Sequence, residues 1–273
     1  MMQASAVDVA AAFRRTTDQL SSCLAEAGEA DWSRPTPAEG WSVSDQVAHL
    51  AFVFDLAATA CHAPSEFRSQ LQHVAERGFS AAVDEGLRTY GEGGPQRVLE
   101  RFRTAAHFAA QALESTPAET VPWLVNPLPP AVLGMAGMLE TFAHGQDVRD
   151  TLGLASTATD DLAYLVVFIA RTRDFGYLAR EQTLPGEEFR FEVTLPSGRA
   201  VEVGPAASAQ VVRGTAEDLA LLASRRRHHA DLGLQAVGDE AVEWLDLAQA
   251  YRGPAGPGRR PGQFGRIERL TSA

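Results

Sequence analysis

The stretch Leu139-Glu-Thr-Phe-Ala-His-Gly-Gln-Asp147 lies inside a longer run, Val132 to Leu152, that follows a proline-rich connector and stops at Gly153. A periodic run bounded by Pro and Gly predicts a helix. On that helix Glu140 and His144, four residues apart, share one face about one turn from each other, a separation at which a carboxylate and an imidazole can grip one metal ion. The spacing leaves two readings open. One is an intrahelical pair at the surface, worth a few tenths of a kcal/mol. The other is two thirds of a metal site, with His49 in Asp45-Gln-Val-Ala-His-Leu50 as the third ligand. Three protein ligands leave a coordination position for water, thiolate or substrate. Spacing along the chain does not by itself bring His49 to the other two.

Outward from this stretch, the first 180 or so residues read as helices separated by Pro- and Gly-rich breaks, which predicts a helical bundle. Val7 to Ala27 carries Val9, Phe13, Leu20 and Leu24 at near-helical spacing and stops at Gly28. Ser42-Val-Ser-Asp45 fits a capping box, so Val43, Val47, Leu50 and Phe54 face the core and His49 is displaced around the helix from that stripe. Glu66 to Val83 and Pro95 to Leu113 read as two further helices, and Val121 to Pro130 as a stiff extended crossover. Thr159 or Asp160 caps a helix that runs to about Arg180, apolar enough to be buried in the bundle or against a second domain.

After Pro185 the period changes from helical to alternating. Phe189 to Leu195, a Pro-Ser-Gly turn and Ala200 to Val203 read as a β-hairpin, with Ala209 to Arg213 as a third strand. Thr215 caps a short helix through Ser224, and Asp239 to Ala250 is a last amphipathic helix carrying Trp244. The expected organisation is a helical domain over 1–182, a small α+β domain over 183–252 and a Gly/Pro/Arg-rich tail over 253–273, draped or disordered.

With 273 residues the chain can bury a full core. Its net charge of −11 opposes binding to nucleic acid or to an anionic membrane surface. The longest apolar run, Leu162 to Ala170, has nine residues, where a membrane-spanning helix needs roughly 20. Arg14, Arg15 and Asp18 interrupt the place where an export signal would need an apolar stretch. Cys23 and Cys61 fit no zinc-knuckle or redox spacing, which points to reduced thiols and a cytoplasmic location.

The two passages Gly40-Trp-Ser-Val-Ser-Asp-Gln-Val-Ala-His-Leu50 and Glu140-Thr-Phe-Ala-His-Gly-Gln-Asp147 resemble the paired signatures of the mycothiol-dependent maleylpyruvate isomerase family. That family lies within the DinB-like metal-binding bundles. The segment Val212 to Arg225 is similar to the family's sterol carrier protein-like C-terminal domain, so the resemblance covers about 250 residues and excludes the tail. It implies an α plus α+β fold: an up-down four-helix bundle followed by the small α+β domain. It also implies a divalent metal, usually zinc, held by His49, Glu140 and His144, and the actinobacterial thiol mycothiol as cosubstrate. The activity implied is isomerisation of, or S-transfer to, a small electrophile, by a monomer or homodimer.

The resemblance further implies that an Arg of the C-terminal domain holds anionic groups of thiol or substrate, and Arg225 occupies the matching place, where Ser224 replaces the family's Gly. Arg226 and Arg227 compete for that role, and Arg225-Arg-Arg-His-His229 also reads as a solvated basic turn. His228 and His229 are left out of the site because adjacent residues rarely point the same way. Asp45, Gln146 and Asp147 are candidates to orient a ligand, and Trp41, Trp123 and Trp244 read as packing residues. Two other readings stand beside the enzymatic one. One is a non-catalytic metal-containing module that binds a small ligand; the other is metal-assisted hydrolysis, for which no general base is evident.

Overall fold

The computed structural model describes residues 5–264. The chain divides into two compact units, one ending at Thr157 and the other beginning at Ala158. The first contains α1 (Ala6–Ala25), α2 (Val43–His62), α3 (Pro64–Arg77), α4 (Phe79–Gly91), α5 (Pro95–Ser115) and α6 (Pro130–Leu152). Four of these form a bundle: α1 packs against α5 and α6, and α2 against the same two. The apolar stripes expected from the sequence are the ones buried, Val9, Phe13, Leu20 and Leu24 on α1 and Val43, Val47, Leu50 and Phe54 on α2. Phe13 meets Phe54 edge-on with ring centroids 4.8 Å apart, and Phe54 meets Phe102 of α5 at 6.1 Å. Each such buried side chain contributes about 1.5–3 kcal/mol relative to exposure.

The start of α2 is fixed by its capping box, in which Ser42 N–H donates to Asp45 Oδ2 at 2.8 Å and Asp45 N–H to Ser42 Oγ at 3.3 Å. Before it, residues 34 to 43 fold back on themselves, with Val43 N–H donating to Arg34 O and Thr36 N–H to Trp41 O. On the other side of the site, α6 lies close to α1 because Gly134 and Gly137 present no side chain. A Cβ on Gly137 would lie 2.8 Å from the Phe13 ring, and one on Gly134 2.7 Å from Val9 Cγ1.

Two details of this unit differ from expectation. The helix read over Glu66 to Val83 is two helices, separated at Gly78, whose φ of 89° lies outside the range of helical backbone. The Val121–Pro130 connector is not extended: Val121 and Leu128 exchange both backbone hydrogen bonds, at 2.8 and 2.9 Å, and close a loop. Pro122 and Pro127 fall inside that closed loop, where their missing N–H groups are not needed.

The second unit contains α7 (Leu162–Arg171), α8 (Phe175–Leu178), β1 (Phe189–Thr194), β2 (Ala200–Val203), β3 (Gln210–Thr215), α9 (Ala216–Ala223), β4 (Gln235–Val237) and α10 (Asp239–Leu247). The sheet order is β2-β1-β3-β4, with β1 and β3 parallel and both outer pairs antiparallel. Phe191 and Phe189 pack on Trp244 at 5.5 and 6.2 Å, and the Trp244 indole donates to Arg173 O at 3.1 Å.

The division between units falls earlier than 182/183. The apolar residues of α7 pack on α9, β1 and β2, and Asp160 accepts from the Ser197 N–H at 3.0 Å and hydroxyl at 2.7 Å. The helix expected to reach Arg180 is interrupted at Thr172, whose hydroxyl donates back to Phe168 O at 2.8 Å. The last helix stops at Leu247, and Ala250 N–H instead donates to Ala223 O. The short strand β4 was not anticipated. The tail is draped over this unit as far as it is described. Gly262 N–H reaches both carboxylate oxygens of Asp231 at 2.8 and 2.9 Å, and the Arg227 guanidinium lies 4.6 Å from the centre of the Phe264 ring. Its remaining residues, 265–273, lie outside the described residues.

Candidate metal centre

Helices α2 and α6 carry the site. His49 and Gln46 lie three residues apart on one face of α2, and Glu140 and His144 four apart on one face of α6, and these faces meet. His49 Nε2 lies 3.6 Å and His144 Nε2 3.2 Å from Glu140 Oε2, and one ligand atom from each of the three residues falls within 4.8 Å of the others. The bundle therefore joins the three residues that the sequence could not bring together. His49 is buried, whereas Glu140 and His144 are partly open, with side-chain exposures of 29% and 13%.

This donor set suits a divalent ion. Two imidazole nitrogens and a carboxylate oxygen match the three-ligand sets of catalytic zinc sites. Ligand atoms around a tetrahedral ion at zinc distances are about 3.4 Å apart, and the separations of 3.2 and 3.6 Å bracket that value. Glu140 also carries the charge the site needs. Burial alone pushes its carboxyl up, but the adjacent His144 and His49 rings outweigh burial and hold it well below the usual carboxylate range.

Around the ligands, Trp41 stacks on the His144 ring at 5.8 Å and meets the His49 ring edge-on at 5.1 Å. Expected to be a packing residue, it packs on the two candidate ligands themselves. His144 Nδ1 lies 2.5 Å from Gln46 Oε1, Gln46 Nε2 donates to Thr36 Oγ1 at 2.8 Å, and Thr36 Oγ1 donates to Trp41 O at 2.8 Å. Sequence reasoning missed Gln46 and Thr36. The available signal was a polar residue three positions before His49, on the same face of its helix.

Of the residues considered for orienting a ligand, Asp45 serves the capping box and Gln146 donates to Asp150 Oδ1 at 2.8 Å, while Asp147 is buried in α6. Arg225 belongs to the second unit, at the end of α9, in left-handed backbone with φ of 59°, and its guanidinium donates to Gly256 O at 3.3 Å. His228, His229 and Asp246 also cluster, with His229 Nε2 3.0 Å from Asp246 Oδ1. His228 Nδ1, however, accepts the Ala230 N–H at 3.1 Å, which spends that lone pair on the turn and puts the neutral ring's proton on Nε2. That cluster is the poorer of the two for a metal.

Residues 13–149 match the family model described as the mycothiol maleylpyruvate isomerase N-terminal domain. Uncharacterized proteins from two strains of Mycobacterium tuberculosis are each 34% identical over 248 residues, covering 90% of this chain and 96% of the relative. Two solved structures of mycothiol-dependent maleylpyruvate isomerase share the fold, one of them a histidine-to-alanine mutant. Their TM-scores are 0.55 and 0.56 at 17% and 16% identity, and each comparison covers 85% of this chain and 93% of the other. Since the matched segment spans half of the sequence and holds all three converging side chains, the chain belongs to the mycothiol maleylpyruvate isomerase family.

Proposed function

We propose that the chain is a divalent-metal-dependent enzyme of the cytoplasm that uses mycothiol to isomerise a small electrophile or transfers the thiol to it through sulfur. His49, Glu140 and His144 are the metal ligands in this reading, and zinc is the metal. The observation that carries it is the convergence of two imidazole Nε2 atoms on one depressed carboxylate between α2 and α6. A divalent ion held there lowers the pKa of a thiol in its open position and so supplies a thiolate at neutral pH. The chain's own residues hold the rest of the site in place. Glu140 stays ionised, and the Trp41 ring stacks on the His144 imidazole and packs edge-on against that of His49.

The nucleophilic sulfur comes from outside the protein. Burial pushes the Cys61 thiol up to about 11, and burial also raises Cys23, with Arg149 offsetting part of the effect. Both are therefore held in the thiol form, the poorer nucleophile, at neutral pH. The mycothiol-dependent maleylpyruvate isomerases of similar fold support mycothiol as the thiol. Arg225 is proposed to hold an anionic group of thiol or substrate, a role suited to a planar guanidinium.

Calorimetric titration of the zinc-loaded protein with mycothiol, followed by turnover assays on maleylpyruvate and other activated small electrophiles, tests this reading. Arg225→Ala is expected to keep its zinc and lose about 10- to 100-fold in thiol or substrate affinity, the size of a lost charged hydrogen bond. Unchanged affinity removes Arg225 from the site. Thiol binding without turnover on any electrophile favours the non-catalytic binding module instead.

A further inference from the structure

The hydrogen-bond chain behind His144 has a direction, and the direction decides which ring nitrogen is available to a metal. Thr36 has one hydroxyl proton, and it goes to the carbonyl of Trp41, which can only accept. The Thr36 oxygen must therefore accept from Gln46, so the amide nitrogen of Gln46 faces Thr36 and its oxygen faces His144. An amide oxygen also only accepts. Nδ1 of His144 consequently carries a proton whether the ring is neutral or charged, which leaves Nε2, the atom 3.2 Å from Glu140, as the nitrogen that can face a metal. The other candidate ligand is built differently: His49 Nδ1 is buried with no hydrogen-bond partner among the described residues.

We propose that Gln46, locked by Thr36, is a positioning residue that fixes the tautomer and ring orientation of His144 and so prepares one of the two imidazoles for the metal. It touches neither substrate nor metal and acts through His144. The inference rests on the reading of His49, Glu140 and His144 as ligands, yet part of it can be tested without any metal. The loop from Pro35 to Trp41 belongs to the metal centre on this view, because its fold aims the Thr36 hydroxyl. The two histidines are unequal: one is oriented by a relay that begins outside α2, and the other is held by packing against Trp41.

Imidazole nitrogen–proton correlation spectra of the metal-free and zinc-loaded protein read the tautomer, and competition with a chromophoric chelator reads zinc affinity. In the wild type the His144 Nδ1–H signal is expected in both states. Gln46→Leu removes the acceptor and is expected to lose that signal and to weaken zinc binding about 10- to 100-fold, as losing the outer partner of a metal-bound histidine typically does. Gln46→Glu keeps an acceptor and is expected to stay within a few-fold of wild type. Thr36→Val, nearly isosteric and outside the helices, leaves the amide free to turn and is expected to fall between them, which keeps the test open if Gln46→Leu does not fold. A proton on Nε2 with Nδ1 bare in the metal-free wild type, or wild-type zinc affinity in both Gln46→Leu and Thr36→Val, overturns the proposal. Absence of zinc binding in the wild type defeats the metal reading, while the metal-free spectrum still decides the relay.

Discussion

Glu140 is the residue on which opposing physical effects meet most directly. Burial raises a carboxyl by penalising its charged form, and the two imidazoles favour that form more strongly, so its folded pKa lies below its ordinary value of 4.5. A depressed folded pKa means that the group contributes stability above the unfolded value and loses it as pH falls toward the folded value. The metal-free wild type should therefore show its full advantage over Glu140→Gln at pH 7, and the advantage should shrink progressively below about pH 4.5. Urea unfolding of both proteins from pH 7 to pH 3 checks this. A difference that stays constant over that range would mean that the Glu140 charge is not held by its histidine neighbours.

At the scale of elements, the site depends on α6 keeping its place in the bundle, and two glycines set how near it lies to α1. A methyl group on Gly137 would meet the Phe13 ring at 2.8 Å, and Phe13 is itself packed against Phe54 of α2. Overpacking costs about 1–3 kcal/mol, which exceeds the roughly 1 kcal/mol that Ala gains over Gly in a helix. Gly137→Ala should therefore unfold at lower urea than wild type with an unchanged denaturant slope. An increase in stability would show that α6 can shift away from α1 without penalty. The helices α2 and α6 were legible in the sequence because a capping box opens one, and prolines and a glycine mark the ends of the other. The residues Glu140, His144 and His49 were legible as a set only through the family resemblance, since local spacing cannot report a contact between helices separated by the length of α3, α4 and α5. The closed loop between Val121 and Leu128 and the three-residue β4 depend on backbone pairing, which leaves almost no mark on side-chain pattern. The relay through Thr36 and Gln46 was illegible for a related reason: it depends on how a loop folds, whereas periodicity reports only which face a residue occupies.

Across the molecule, an ion at this site would tie α2 to α6 at the point where the Glu140 carboxylate and the two imidazoles meet. Binding of that kind stabilises the folded chain by mass action, about 2.7 kcal/mol when the free metal is 100 times its dissociation constant. Among the described residues no helix is long and apolar enough to cross a membrane. The second unit has its own core, built on Phe189, Phe191 and Trp244. Its fold therefore does not depend on the ion, and metal binding can be assigned to the first unit by substitution there. The most direct measurement is the metal content of the purified 273-residue chain by elemental analysis, before and after incubation with zinc and dialysis, for wild type, His49→Ala and His144→Ala. Three converging ligands set the expectation of about one divalent ion per wild-type chain and a marked loss in both variants. A wild type that holds no ion and cannot be loaded, or variants that hold as much as wild type, would contradict it.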